Sequence, residues 1–152
     1  MIDRASSQPQ DESGTNTCEI AALLTAGRRL YRLGKFQDAC RMFEALAVLD
    51  GGNPYVHGIL GSIYQKQQRL ELALLCYNTA IGLLPDDVDS LVNRGELLLK
   101  FGEFRKAAED LARAVQLAPA RKNRAARRAL LLASIAQEAL AFAEHNGVPA
   151  PE

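Results

Sequence analysis

The side chains that could carry catalysis or bind a metal are few in this chain and lie far apart. Its two histidines, His57 and His145, have no second ligand or acid partner at a useful spacing, so we interpret them as surface or helix-packing residues. No Cys–His arrangement marks an activated nucleophile, and no GxxxxGKS/T or GxGxxG motif predicts a phosphate site. The sequence therefore predicts a protein that is not an enzyme and that has no cofactor.

Three neighbouring carboxylates are the best candidate for a metal site. Asp86, Asp87 and Asp89 follow Pro85 at a predicted helix start. Carboxylates at that place satisfy backbone N–H groups and interact favourably with the positive end of the helix dipole. Because capping accounts for all three, the sequence predicts no metal site.

The cysteines indicate a reducing compartment. Cys18, Cys40 and Cys76 are odd in number, far apart and without CxxC spacing, so we interpret them as reduced thiols. Cys40 and Cys76 fall near the packing positions of predicted helices and are expected in the core. This interpretation favours a cytoplasmic location.

The balance of charge argues against nucleic acid and membrane partners. Eighteen basic and eighteen acidic residues cancel, so no net field attracts the chain to nucleic acid or to an anionic membrane surface. Residues 1–17 are polar and hold no apolar run of signal-peptide length, and no stretch approaches the roughly 20 apolar residues that cross a bilayer. The sequence therefore predicts no nucleic acid partner and no direct membrane binding.

One basic cluster stands out near the C-terminus. It lacks the interleaved aromatic residues that are typical of a nucleic-acid surface. We interpret it as the solvated outer face of the last helix, and a contact for an acidic partner or a second subunit is the alternative. Its members are Arg121, Lys122, Arg124, Arg127 and Arg128.

A period of 34 residues organises most of the chain. Small, aromatic and alanine positions recur in the same order, and Pro85 and Pro119 close the second and third units. This period and order resemble the tetratricopeptide repeat over about residues 20–119. The recurring series are Gly27, Gly61 and Gly95; Phe36, Leu70 and Phe104; Ala39, Ala73 and Ala107; Phe43, Tyr77 and Leu111; and Leu46, Ala80 and Ala114.

The resemblance implies an all-α fold, in which three helical hairpins stack as a short right-handed solenoid that ends in a C-terminal capping helix. Short turns at 33–35, 67–69 and 101–103 separate helix A from helix B of each hairpin. Asn53-Pro54 predicts a helix start and Asn146-Gly147 a helix stop. The expected boundaries are a flexible N-terminal segment over 1–17, a repeat domain over 18–145 with repeats at about 20–53, 54–87 and 88–121 and a capping helix at about 122–145, and a tail over 146–152.

The surface best suited to binding is the stripe of each helix A that points away from helix B and from the next unit. Its positions have helical spacing. They mix apolar and polar side chains, which is typical of a groove for an extended peptide, and Gly58 opens a hollow among them. The alternative is that Leu24 and Tyr31 pack on an N-terminal segment. The predicted groove residues are Leu24, Arg28, Tyr31, Tyr55, Ser62, Gln65, Val92, Glu96 and Leu99.

Two motifs in the first repeat resemble one particular group of tetratricopeptide repeat proteins. GKFxDA and FxALxVLD, within residues 34–50, are similar to the class II chaperones of bacterial type III secretion, the SycD/LcrH-like proteins. In that family the concave face holds an extended N-terminal segment of a hydrophobic translocator. By position, Tyr31 matches a groove tyrosine, Leu24 stands where an aromatic is common, and Phe36 matches an aromatic after the Gly-Lys turn. Arg28 replaces a residue that is often apolar, which indicates an acidic or polar ligand contact.

The resemblance implies a bacterial cytoplasmic chaperone whose partner is a secreted, membrane-inserting translocator, protected from aggregation before export. Two alternatives stay open: a general adaptor that scaffolds a protein complex, and a chaperone of another small secretion client such as a needle subunit. Members of the family commonly dimerise through their N-terminal helices. The segment before residue 20 contains few strong helix formers, which argues against such a dimer here, so a homodimer is only an alternative for this chain.

Overall fold

The computed structural model describes residues 12–118 and 124–147, which form seven α-helices joined by short turns. No strand occurs in these ranges, and consecutive helices pack against each other. The all-α fold of stacked helical hairpins is therefore confirmed. The helices are α1 (Glu12–Arg32), α2 (Phe36–Leu49), α3 (Pro54–Lys66), α4 (Leu70–Leu83), α5 (Val88–Lys100), α6 (Phe104–Leu117) and α7 (Arg124–His145).

The first helix starts earlier than the sequence indicates. Residues 1–17 are predicted to be flexible, whereas α1 includes residues 12–17. Once the packed turns of a helix exist, each added residue gains a backbone hydrogen bond without a new nucleation cost, so weak helix formers can extend it. The remainder of the predicted flexible segment lies outside the described residues, as do most of the predicted tail and the stretch between α6 and α7.

The recurring glycines let helix A and helix B of each hairpin approach closely. A Cβ on Gly61 would lie 2.7 Å from the ring of Tyr77, which is nearer than carbon atoms pack. Tyr77 itself is fully buried, so the ring cannot swing out to solvent without opening the hairpin. The same relation joins Gly27 to Phe43 at 2.8 Å and Gly95 to Leu111 at 2.7 Å.

The turn between helix A and helix B takes a left-handed residue in each hairpin. Gly34 (φ 74°) and Gly102 (φ 79°) provide it in the first and third hairpins, where the missing Cβ makes the conformation inexpensive. The second hairpin uses Gln68 (φ 61°), and a Cβ in this region costs about 1–2 kcal/mol. A backbone hydrogen bond from Arg69 N to Tyr64 O (2.9 Å) closes that turn.

The predicted helix starts are confirmed by their side-chain hydrogen bonds. Asn53 Oδ1 accepts from Tyr55 N at 3.1 Å, and Pro54 is the first residue of α3. Asp87 Oδ2 accepts from Ser90 N at 3.3 Å at the start of α5. These bonds satisfy backbone N–H groups that have no partner inside the helix.

The last helix packs on α6 and also on α5. Its buried face consists of small residues, which allow a close approach. Ala129 stands 34 residues after Gly95 and is fully buried, so α7 continues the series of A helices. Gly147 (φ 63°) follows the end of α7 at the predicted helix stop. The surface formed by α1, α3 and α5 therefore gains a fourth helix.

The predicted burial of Cys40 and Cys76 is confirmed. Cys40 in α2 and Cys76 in α4 are buried in the core, and Cys18 in α1 is exposed. All three are free thiols. Burial raises the pKa of the Cys76 thiol to about 11 and raises the pKa of Cys40 as well, with a hydrogen bond to Glu44 as a further cause for Cys40. These two thiols behave as small core residues with low reactivity.

Candidate peptide-binding groove

The surface formed by α1, α3, α5 and α7 carries two neighbouring cavities, and together they form the groove. The larger cavity has a volume of about 570 Å³ and extends from Tyr31 in α1 to Arg128 in α7. This volume suits a ligand site, which typically occupies about 300–1,000 Å³. The larger cavity is lined by Tyr31, Ser62, Gln65, Lys66, Gln68, Asp89, Asn93, Glu96, Lys100, Arg124, Ala125 and Arg128.

The smaller cavity lies between the N-terminal halves of α3 and α5 and has a volume of about 360 Å³. It shares Ser62, Asp89 and Asn93 with the larger cavity, so the two are continuous. Gly58 lines it, where the sequence predicts a hollow. The smaller cavity is lined by Pro54, Tyr55, Gly58, Ile59, Ser62, Leu84, Asp87, Asp89, Ser90 and Asn93.

Five of the residues predicted for the groove line these cavities, whereas the predicted Arg28 and Phe36 line neither. Tyr31, Gln65 and Glu96 line the larger cavity, Tyr55 lines the smaller one, and Ser62 lines both. These residues come from three different helices, so a ligand across the groove would touch three hairpins at once. Whether they bind a ligand stays a prediction.

The apolar residues predicted for the groove lie elsewhere. Val92 is 1% exposed and belongs to a buried cluster with Ala129 of α7, so it offers no contact surface. Leu24 and Leu99 are half-buried and pack against the two parts of the core. Helical spacing within α5 does not predict that α7 packs on α5 and covers Val92.

Two contacts fix the aromatic residues on the α1 side of the groove. The rings of Tyr31 and Phe36 meet edge to face with their centroids 5.6 Å apart. Phe36 also packs against the core, so the Tyr31 ring rests on a partly buried side chain. The guanidinium of Arg28 lies over the ring of Tyr55, 5.6 Å from the centroid, and this contact joins α1 to α3.

A polar network connects the floor of the groove to the hairpin interior. The buried Tyr77 hydroxyl donates to Gln65 Oε1 at 2.8 Å and lies 3.3 Å from Ser62 Oγ. Ser62 Oγ donates to Gly58 O at 3.1 Å and accepts from Asn93 Nδ2 at 3.4 Å. Burial raises the pKa of Tyr77, so its hydroxyl stays protonated as a donor at neutral pH. The hairpin interior therefore sets the orientation of Ser62 and Gln65.

The basic cluster of α7 contributes to the groove, contrary to the prediction that it forms an outer face. Arg124 and Arg128 line the larger cavity, and Arg127 is exposed. Arg128 Nη1 donates to Asn93 Oδ1 at 2.9 Å, and Arg128 also forms an ion pair with Glu96. The other two members of the cluster, 121 and 122, lie outside the described residues.

Sequence reasoning missed Asn93, Arg124 and Arg128 as groove residues. The signal that could have found the arginines is the 34-residue period itself, because it places a fourth helix A after the third repeat. With Lys66 and Lys100, the larger cavity has four basic residues and two acidic ones, Asp89 and Glu96. The larger cavity is therefore polar, with an excess of positive charge.

Within residues 12–118 and 124–147, no three His, Cys, Asp or Glu side chains lie together in a way that could hold a metal ion. His57 contacts Gly51 O at 2.9 Å through Nε2, and His145 is exposed at the end of α7. No helix in the described part of the chain is both long and apolar enough to cross a membrane.

Comparison with known families identifies the repeats. Two tetratricopeptide repeat models match the chain, one over residues 24–88 and the other over residues 60–132. Their combined span includes helices α2 to α6 and parts of α1 and α7.

The chain is also similar to solved structures. A type III secretion complex from Aeromonas hydrophila is 27% identical, with 80% of this chain and 83% of that chain covered and a TM-score of 0.74. The Yersinia enterocolitica chaperone SycD, in complex with a peptide of the translocator YopD, is 23% identical, with 79% and 93% covered and a TM-score of 0.73. The first tetratricopeptide domain of Spaghetti (RPAP3), bound to an HSP90 peptide, is 21% identical, with 80% and 93% covered and a TM-score of 0.72.

One curated relative is a probable peptide N-acetylglucosaminyltransferase, SPINDLY of Arabidopsis thaliana, which is 31% identical over 102 residues. The match covers 67% of this chain but only about a tenth of the transferase's length. The repeat models, the seven described helices and the similar solved structures agree: this chain belongs to the tetratricopeptide repeat family, and it resembles the class II translocator chaperones of type III secretion.

Proposed function

We propose that this chain is a cytoplasmic chaperone of a bacterial type III secretion system, which binds an extended segment of a hydrophobic translocator in the groove. The observation that carries the proposal is the continuous groove across α1, α3, α5 and α7, lined by side chains whose orientation the fold sets. The similarity to chaperones of that system supports it.

The physical task of such a chaperone is to cover an aggregation-prone segment. A membrane-inserting protein exposes apolar surface in water, which promotes association between copies. Binding to one segment lowers the concentration of the free client by mass action, with no bond made or broken. A groove that binds an extended chain also leaves the client unfolded enough for export.

The lining of the groove favours recognition through hydrogen bonds as well as apolar contact. Tyr31 and Tyr55 present aromatic surface with a polar end, which is common at binding sites. Gln65 can donate to the backbone of an extended peptide through Nε2, since Tyr77 occupies only its Oε1. The segment that fits should therefore carry polar residues between its apolar ones.

The test is affinity capture of clients from the native bacterial cytosol, with bound proteins identified by mass spectrometry. We expect one dominant client with apolar membrane-inserting segments, and we expect Tyr31→Ala to lose it. Val48→Ala is the matched control, because Val48 is 86% exposed on α2 and lies outside both cavities. Circular dichroism would establish that both variants are folded.

Other outcomes would point to the alternatives. Several partners that bind Tyr31→Ala as well as the wild type would indicate an adaptor that uses another face. A single small client without membrane-inserting segments would indicate another secretion client, such as a needle subunit. Sedimentation of the purified chain, with and without the client, would test the homodimer.

A further inference from the structure

The smaller cavity contains polar groups that its own network leaves unused. Ser62 and Asn93 are already committed, since Ser62 Oγ bonds Gly58 O and Asn93 Nδ2, and Asn93 Oδ1 accepts from Arg128. Ser90 is different. It is 1% exposed, and its hydroxyl has no hydrogen-bond partner in the described part of the chain. A buried hydroxyl without a partner is costly, so its place in a cavity indicates a missing ligand group.

Ser90 Oγ faces the space that Gly58 leaves open. A Cβ on Gly58 would lie 2.9 Å from Ser90 Oγ and 3.8 Å from Asp87 Oδ2. The hydroxyl and a carboxylate oxygen of the α5 start therefore border the same space. Any residue larger than glycine at position 58 would occupy it.

The charges around this space favour a cation. Asp87 and Asp89 both line the cavity, and within residues 12–118 and 124–147 neither carboxylate has an ion pair. A helix start alone would favour an anion, but two carboxylates outweigh the partial charge of the helix dipole, about half an elementary charge. Burial and, to a smaller extent, the neighbouring Asp87 raise the pKa of Asp89 even though Arg128 acts to lower it, so the charge of Asp89 is only partly compensated.

The nearby basic residues have other contacts. Arg28 lies over the ring of Tyr55 at 5.6 Å, and Arg128, which acts electrostatically on Asp89, is held by Glu96 and Asn93. Neither arginine lines the smaller cavity. The groups there without an ion pair are thus one hydroxyl and two carboxylates. Asp87 Oδ2 also caps α5, and all three groups can still accept a hydrogen bond.

We propose that the smaller cavity binds a basic side chain, lysine or arginine, of the extended segment that occupies the groove. This inference rests on the proposed function, because it assigns one contact of the same ligand. Pro54, Ile59 and Leu84 provide apolar walls for the methylene stem of the basic residue. Its charged end donates to Ser90 Oγ and to the carboxylates of Asp87 and Asp89.

The probe is a displayed library of random 15-residue peptides, selected on the full chain. We expect the selected peptides to share a lysine or arginine at one position. Replacing that residue by norleucine should weaken binding about tenfold, since a charge-assisted hydrogen bond is lost. Norleucine keeps the length of the stem, so the difference reports on the charge.

Three variants connect this preference to the cavity. The first is the double variant Asp87→Asn/Asp89→Asn, in which the asparagine at position 87 can still cap α5. The lysine and norleucine peptides should bind this variant equally. Gly58→Ala places a methyl group against Ser90 Oγ, within a helix that tolerates alanine, and it should weaken binding of the lysine peptide about tenfold. Asp89→Lys should shift a new selection toward glutamate at the same position.

The outcomes separate this inference from the proposed function. Selected peptides that Tyr31→Ala no longer binds, but that show no basic position, would overturn the inference and leave the peptide groove standing. A basic preference that survives both Asp87→Asn/Asp89→Asn and Gly58→Ala would also overturn it. If no peptide is selected by the wild-type chain, the inference and the proposed function fail together.

Discussion

Two adjacent residues of α3 belong to different regions of the molecule. Gly61 faces the hairpin interior, where a Cβ would lie 2.7 Å from Tyr77. Its neighbour Ser62 faces the groove and lines both cavities. The interior position is glycine in all three repeats, namely Gly27, Gly61 and Gly95. The groove position differs in each repeat and holds Arg28, Ser62 and Glu96.

The difference follows from what each position contacts. The interior position meets a large side chain of helix B in the same hairpin, and this contact is repeated because each hairpin closes in the same way. The groove position meets no repeated partner, so its chemistry can vary without changing the fold. Residues that recur every 34 positions therefore maintain the fold. Groove positions whose residues differ between repeats are free to serve ligand binding.

The largest effect should come from the interior. Gly61→Ala places a methyl group against the buried ring of Tyr77, and overpacking of this kind typically costs about 1–3 kcal/mol. Urea unfolding should show a lower free energy of unfolding by that amount. The ring has little freedom to move, because Tyr77 is fully buried and its hydroxyl is bonded to Gln65.

Gly82→Ala is the matched control for this prediction. Gly82 is also in a helix, but a Cβ there would meet nothing within 4 Å. Alanine should therefore raise the free energy of unfolding by up to about 1 kcal/mol, because it favours helix. Equal effects of the two substitutions would show that helix propensity, not the contact with Tyr77, governs position 61.

Most of the fold could be predicted from the 34-residue period. The helix order, the three turns and the caps at Asn53 and Asp87 follow from local signals, since each depends on residues near in sequence. The start of α1 at Glu12 could not be predicted in this way. Helix extension depends on how well the following turns are packed, and propensity alone does not report on that packing.

The groove could be predicted only in part. Helical spacing identified Tyr31, Ser62 and Gln65, because the face of an A helix is set by its own hairpin. It placed Val92 there as well, although this residue belongs to a buried cluster with Ala129 of α7. The contribution of Arg128 was missed for the same reason: contacts of the last helix depend on tertiary packing beyond the period.

A second prediction concerns the interior at alkaline pH. The pKa of Cys76 is raised from 9.0 to about 11, chiefly by burial. The unfolded thiol therefore ionises first as pH rises, and the stability present below pH 9 is lost between pH 9 and pH 11. From pH 8 to pH 10 the free energy of unfolding should fall by about 1 kcal/mol on account of Cys76.

Urea unfolding at several pH values tests this effect. Cys76→Ala should show a smaller fall between pH 8 and pH 10 than the wild type, and the exposed Cys18→Ala should match the wild type. Burial raises the pKa of Tyr64 and Tyr77 above the usual value of 10.0, so these two residues lower the free energy of unfolding at higher pH than Cys76 does. Identical curves for Cys76→Ala and wild type would mean that the thiol is solvated.

A smaller effect should arise at the one turn that departs from the repeat. Gln68→Gly removes the Cβ from a left-handed residue and should raise the free energy of unfolding by about 1 kcal/mol. The reverse change in the third hairpin, Gly102→Gln, should lower it by a similar amount. If Gln68→Gly is destabilising, the side chain of Gln68 at the edge of the larger cavity makes a stabilising contact that outweighs the backbone strain.

The smallest effect on stability should come from the groove. Arg28 is exposed, and its contact with Tyr55 is a cation–π interaction, which at an exposed site contributes about 0.5–1 kcal/mol. Arg28→Ala should therefore change the free energy of unfolding by no more than about 0.5 kcal/mol, since part of that contact is offset by the freedom the side chain regains. The same variant should alter the affinity for the captured client severalfold, because Arg28 and Tyr55 form the rim where α1 meets α3. Arg28→Lys keeps the positive charge and is therefore the control that separates the effect of charge from the loss of the side chain. A large loss of stability in Arg28→Ala would show that Arg28 stabilises the fold. The distinction between interior and groove positions would then not hold at the position next to Gly27.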